Sequence, residues 1–228
     1  MSDMQVLGRE GSLSDTQNRV LRNTYALLGL SMVPTVIGAY VGLQMNFGFL
    51  AAHPFIFGIG FLVVMFGMFK LIAINQNSSI GVWLLLAMTF AFGIMLGPIL
   101  QHALHLRNGA EIVGLAAAGT GITFLTLAGI GSSPARDFSG IGKFLFIGLI
   151  LAIVASLANL YFQIPALSLA ISGVSVLIFS GYILYDVNQI VRGGQTNYVM
   201  ATLSLYLDVY NLFVNLLNIL MALLGNRD

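Results

Sequence analysis

Seven apolar runs, each about the length of chain that crosses a bilayer, account for nearly all of this sequence and fix what it can fold into. Scanning for windows of about 20 apolar residues places them at 24–43, 54–74, 80–100, 110–130, 141–162, 166–191 and 201–224. The connections between them are short and carry turn chemistry: His53-Pro54, Asn75-Gln-Asn-Ser-Ser79, Gly131-Ser-Ser-Pro134, Gln163-Ile-Pro165 and Gly193-Gly194. Short connections make neighbouring spans antiparallel. A chain that is 58% hydrophobic and 7% charged could not hide such runs from water within 228 residues. The predicted class is therefore an all-α polytopic membrane protein. It comprises a polar tail over 1–23, one seven-helix transmembrane domain over 24–224 and a short tail over 225–228. There is no cysteine, which excludes disulfides and thiolate ligands, and a net charge of +1 gives no reason to expect nucleic acid. The first 23 residues hold no apolar run ahead of a small-residue cleavage site, which argues against a cleaved signal peptide.

Orientation follows from lysine and arginine. With the N-terminus cytoplasmic, that side receives Arg9, Arg19, Arg22, Lys70, Arg136, Lys143 and Arg192, and the other receives only Arg107 and Arg227. The expectation is N-terminus inside and C-terminus outside.

Two carboxylates break the apolar pattern. Asp186 and Asp208 lie inside the sixth and seventh spans, on either side of the hinge Arg192-Gly-Gly-Gln-Thr-Asn197. An acidic group at membrane depth costs about 2.5–3.5 kcal/mol by insertion scales and marks a functional site by default. Counting inward from the cytoplasmic ends at 1.5 Å per residue puts Lys70, Asp186 and Asp208 at depths of roughly 6, 8 and 10 Å. All three fall in one layer, and Lys70 is the candidate cationic partner. The alternative is a static buried cluster that fixes helix register, with Lys70 snorkelling to the headgroups.

Each of the last two spans also carries a polar seam. On the seventh, Ser204, Asp208, Asn211, Asn215 and Asn218 follow at spacings of 4, 3, 4 and 3, which keeps them on one face. On the sixth, Ser168, Ser172, Ser175, Tyr182, Asp186 and Gln189 do the same. Such seams cannot face lipid, where their polar groups would lack partners, so the seventh span reads as central. Interhelical hydrogen bonding is the plain explanation for the serines and asparagines. Gly38, Gly42, Gly93 and Gly97 read as close-packing positions, His102 and His105 as loop histidines, and Asp137 beside Arg136 as an ordinary loop pair.

No nucleophile elbow, zinc-protease motif, P-loop or dinucleotide fingerprint is present, and no enzyme activity or resident cofactor is expected. Intramembrane aspartyl proteases also pair two membrane aspartates. Tyr185-Asp186 matches the first half of their pattern, but Leu205-Tyr-Leu-Asp208 lacks the glycines of the second.

The chain resembles the bacterial YccA-like branch of the Bax inhibitor family, also called the transmembrane Bax inhibitor motif family. The resemblance runs from Val20-Leu-Arg-Asn-Thr-Tyr25 to the C-terminus and includes Leu96-Gly-Pro-Ile-Leu100, Arg136-Asp-Phe138 and Ala158-Asn159. Its most specific parts are Tyr185-Asp186, Gly193-Gly-Gln-Thr-Asn-Tyr198 and Ser204-Leu-Tyr-Leu-Asp208 with Asn211-Leu-Phe213. The resemblance implies seven helices with the C-terminal one inside the other six, in a bacterial inner membrane. It implies a pH-sensitive calcium leak latched at its cytoplasmic end by Asp186 and Asp208, with Lys70 at the basic position that competes for the latch. It also implies a different role, binding and modulating the membrane protease FtsH.

Independently of the family, two carboxylates within hydrogen-bond reach cannot both ionise cheaply, so the pair titrates as a unit. One shared proton would hold the sixth and seventh spans together. Its loss would leave two like charges that repel or take a divalent cation. Calcium seeks several oxygens, and Asp186 and Asp208 with the seam hydroxyls and amides could offer them transiently.

Overall fold

The computed structural model describes residues 2–48 and 52–225, which are helix, turn and loop with no strand. The helices are α1 (Ser2–Gln44), α2 (Pro54–Ile74), α3 (Ser79–Met95), α4 (Gly97–Leu104), α5 (Gly109–Gly131), α6 (Gly142–Phe162), α7 (Pro165–Val191) and α8 (Tyr198–Leu224), with a 3₁₀ turn at Ser139–Ile141 before α6. Met1 of the expected tail, and Arg227, counted above for the outer side, lie outside the described residues.

Among the described residues, six segments are long and apolar enough to cross a membrane: Asp15–Gln44, Ser79–Leu104, Gly109–Gly131, Ser139–Phe162, Pro165–Val191 and Tyr198–Leu224. The apolar stretch Gly58–Ile74 is shorter. The third expected run is broken at Leu96 into α3 and α4, because Pro98 has no N–H to give the carbonyl one turn back. The residues expected as a polar tail are helical from Ser2 onward: α1 runs unbroken through 43 residues with Pro34 inside it. At 1.5 Å per residue that is about 64 Å, roughly twice the hydrocarbon thickness.

The C-terminal helix organises the bundle. α8 packs against α1, α2, α3, α5 and α7, whereas α6 stands outside α7 and packs on it and on the preceding 3₁₀ turn. The expectation of six helices around α8 thus holds for five. Near the hinge, Leu85, Ile72, Val187, Val199, Leu205 and Tyr206 form a sealed core, and a second core at the opposite end gathers Leu96, Leu100, Ala103, Ile112, Ala116 and Leu217. Outward faces are apolar to a degree no aqueous surface tolerates: Phe144, Leu177, Leu125 and Trp83 are each more than 70% exposed. Only Leu145 of α6 is buried.

The glycines read as close-packing positions serve that purpose. A Cβ on Gly38 would meet the Phe90 carbonyl, and one on Gly93 the Thr35 carbonyl. Gly42 and Gly97 lie against each other's backbone, so α1 touches both α3 and the start of α4 main chain to main chain. Beside that contact the hydroxyls of Thr35 and Tyr206 are hydrogen-bonded at 2.9 Å.

Candidate functional site

α7 and α8 are joined by residues 192–197, and local chemistry sets how the chain turns there. Gly193 adopts φ +78°, a conformation that favours glycine. The N–H of Gly194 donates to the Gln189 carbonyl at 2.8 Å and that of Gly193 to Ile190 at 3.2 Å, which closes α7 with a Schellman motif. Asn197 then opens α8. Its Oδ1 accepts from the N–H groups of Val199 (2.9 Å) and Met200 (3.1 Å), and its amide donates to the Gln76 carbonyl at 3.0 Å and to Asn77 Oδ1 at 2.9 Å. One residue therefore caps α8 and ties it to the α2–α3 turn.

The two helices so joined bring Asp186 and Asp208 into hydrogen-bonding reach of each other. Asp208 is 5% exposed, and its Oδ2 has no hydrogen-bond partner among the described residues. Asp186 is half-buried and opens onto a cavity of about 230 Å³ at the hinge end, lined also by Tyr185, Gln189, Gly194, Gln195 and Ser204. Tyr182, one turn before Asp186, interacts electrostatically with both carboxyls. Among the described residues, no group of three or more His, Cys, Asp or Glu side chains gathers to hold a metal.

The rest of the expected site divides. Lys70 is not brought to the pair: its side chain is exposed, and α2 packs on α3 and α8. The long Lys70 side chain turns outward from the bundle. Asn211 and Asn215 each donate at 2.8 Å to a carbonyl four residues back in α8, not across to another helix. Ser175 is buried. Ser172 and Asn218 line a second cavity at the far end of the same seam, of about 370 Å³, together with Ser168 and His102.

One residue of this region has no counterpart in the seam pattern. Asn188 is 1% exposed, and its amide donates to the carbonyls of Gly131 (3.2 Å) and Arg136 (2.9 Å) while its Oδ1 accepts from Phe138 N–H at 3.0 Å. It thereby clips the α5–α6 connection to α7, half a helical turn away from Asp186. Asp137 is not paired with its neighbour Arg136, as the loop reading had it, but with Arg192 across that connection. The Ser139 hydroxyl and N–H, with Arg192 beyond them, hold the Asp137 carboxyl below the usual range.

A multi-pass helical membrane protein with a carboxyl from each of its last two helices, one buried and one facing a cavity, is the class these features define. The family described as inhibitor of apoptosis-promoting Bax1 matches residues 17–226. The chain belongs to this Bax inhibitor family. It is 37% identical over 203 residues to the modulator of FtsH protease YccA of Escherichia coli (strain K12), covering 89% of this chain and 90% of that one. An uncharacterized membrane protein of Vibrio cholerae is 40% identical over 227 residues, with 96% and 97% covered. A Neisseria meningitidis serogroup B protein is 42% identical over 216 residues, with 92% and 93% covered.

Proposed function

We propose that this protein is a pH-sensitive cation leak of the bacterial inner membrane, with calcium as cargo and the Asp186–Asp208 pair as its latch. In this reading α2 is the seventh span, the N-terminus is cytoplasmic and the C-terminus is periplasmic, so the hinge faces the cytoplasm. The observation that carries the proposal is the meeting of two carboxyls from separate helices, one facing a cavity and the other sealed behind it. A proton shared between them holds α7 to α8. Its loss leaves two like charges in a low dielectric, which drives the helices apart and gives a passing divalent ion oxygens to touch. Two carboxylates with no third acidic ligand among the described residues suit a transient contact rather than a resident metal. Lys70 takes no part in the latch, and no catalytic step is assigned.

The test is calcium flux into proteoliposomes of the purified protein between about pH 6 and 8, around neutrality. Flux should rise with pH as the shared proton leaves. Flux no greater than in protein-free vesicles at every pH would overturn the reading.

A second reading, modulation of the FtsH protease, is supported by the name of the Escherichia coli relative and by α1. On the proposed orientation its first 23 residues present a long helical handle to the cytoplasm. The Gln17 side chain of that handle lies against Gly193 of the hinge, so the two readings meet at one place.

A further inference from the structure

Hydroxyls and amides within the spans mostly satisfy themselves. Ser31, Thr35, Thr120, Ser132 and Ser156 each donate to a carbonyl three or four residues back in their own helix, and Asn211 and Asn215 do likewise. Ser168, Ser172 and Asn218 depart from this habit. Their side chains make no hydrogen bond among the described residues, and all three line the far-end cavity between α4, α7 and α8. Ser172 is only 3% exposed, and it sits seven residues into α7, about 10 Å from the helix start. A buried polar group without a partner costs roughly 1–3 kcal/mol, and native structures rarely leave one unmet. Ser172 is the buried one of the three, Ser168 being exposed and Asn218 half-buried at the cavity, and a buried serine without a protein partner on a cavity wall describes a site whose partner is a ligand.

We propose that this cavity binds an oxyanion, a phosphate or carboxylate group, through Ser168, Ser172, Asn218 and His102. The donor set decides the sign of the charge. Hydroxyl and amide groups can all donate, as can the His102 ring, and no carboxylate is among the described lining residues. A divalent cation would require acidic oxygens. The first turn of α7 forms one wall, and there the helix dipole favours negative charge. Leu169 and Met221 make part of the wall apolar, so the oxyanion could belong to a lipid headgroup or to a free solute. The proposal stands apart from the leak, since binding here needs neither the carboxyl pair nor transport.

The test uses full-length protein in micelles with ¹⁵N-labelled histidine, the His102 signal being assigned by its loss in His102→Gln. Sodium phosphate, a short-chain phosphatidylglycerol and calcium chloride are titrated separately. Phosphate or the phospholipid should move the His102 signal saturably, and Ser172→Ala should weaken that binding about tenfold or more while Ser156→Ala leaves it unchanged. Ser168→Ala, at an exposed position, should weaken it as well and serves if Ser172→Ala fails to fold. A response to phosphate identifies a free solute, and a response to the phospholipid alone identifies a headgroup. No saturable shift with either, a shift undiminished by both serine substitutions, or a response to calcium chloride alone would overturn the proposal.

Discussion

The guanidinium of Arg192 lies 3.1 Å from Oδ2 of Asp137, which fastens the α5–α6 connection to the end of α7 two turns from Asp186. A second Arg192 nitrogen donates to the Pro134 carbonyl at 3.3 Å. The pair therefore belongs to the frame around the hinge cavity, and its titration has to be separated from that of the carboxyl pair.

The separation follows from sign. Asp137 has a lowered folded-state pKa, caused first by the Ser139 hydroxyl, then by the Ser139 N–H, with Arg192 adding to it. A carboxyl of this kind stabilises the fold above its unfolded value, near 4, and loses that contribution only as pH falls through its lower folded value. Asp137 thus stays ionised throughout pH 6–8. Asp137→Asn should leave the midpoint of the flux–pH curve in place, and a shift in that midpoint would transfer the pH sensor to the loop.

Asp186→Asn and Asp208→Asn should each abolish the pH dependence of flux between about pH 6 and 8, because a single carboxyl facing an amide has no shared proton to lose. Lys70→Ala should leave that dependence as it is, since Lys70 is exposed away from the pair. Proteoliposome flux measured side by side for the three variants checks both statements. Retained pH dependence in both asparagine variants would remove the latch.

Asn188→Ala should release the connection over 132–139. It strands the carbonyls of Gly131 and Arg136 and the N–H of Phe138, and the expected cost is roughly 2–3 kcal/mol. Faster hydrogen exchange confined to that connection, with a lowered unfolding midpoint, is the signature. Exchange at the native rate would show that Asp137 and Arg192 hold the loop alone.

Gly93→Ala should destabilise the bundle by roughly 1–3 kcal/mol, because the new methyl group meets the Thr35 carbonyl on a backbone that cannot yield. Gly114→Ala is the control, since a Cβ there meets nothing within 4 Å. Unfolding titrations of the two variants in detergent should separate clearly.

Deleting residues 2–16, which spares Gln17, Arg19 and Arg22, should slow turnover by FtsH and leave proteoliposome flux unchanged. Turnover at the full-length rate would mean that the helical extension of α1 is not the handle.

The sequence carried some of this geometry directly and had no means of carrying the rest. Helical rise gives depth, so counting residues is enough to place Asp186 and Asp208 in one layer, and their facing seams supply the direction. Lys70 had depth without direction: α2 has no polar stripe to say which way it turns. Asn188 was missed because it sits two residues after Asp186, some 200° around the helix and off the seam. Its partners are loop carbonyls that leave no trace in spacing. The extension of α1 was read as a tail because it holds no long apolar run, yet a helix already nucleated in the membrane adds each further residue at little cost.

The contact between α1 and α3 also bears on how the chain is made. The glycine faces of Gly38 and Gly93 have no partner until both helices are in the membrane, and α2 is synthesised between them. The chain through α2 is therefore not a finished folding unit. Its smoothest groove stays open to lipid until α3 arrives, and the interval in which the nascent protein is most exposed to quality control is set by the length of chain between those two glycines.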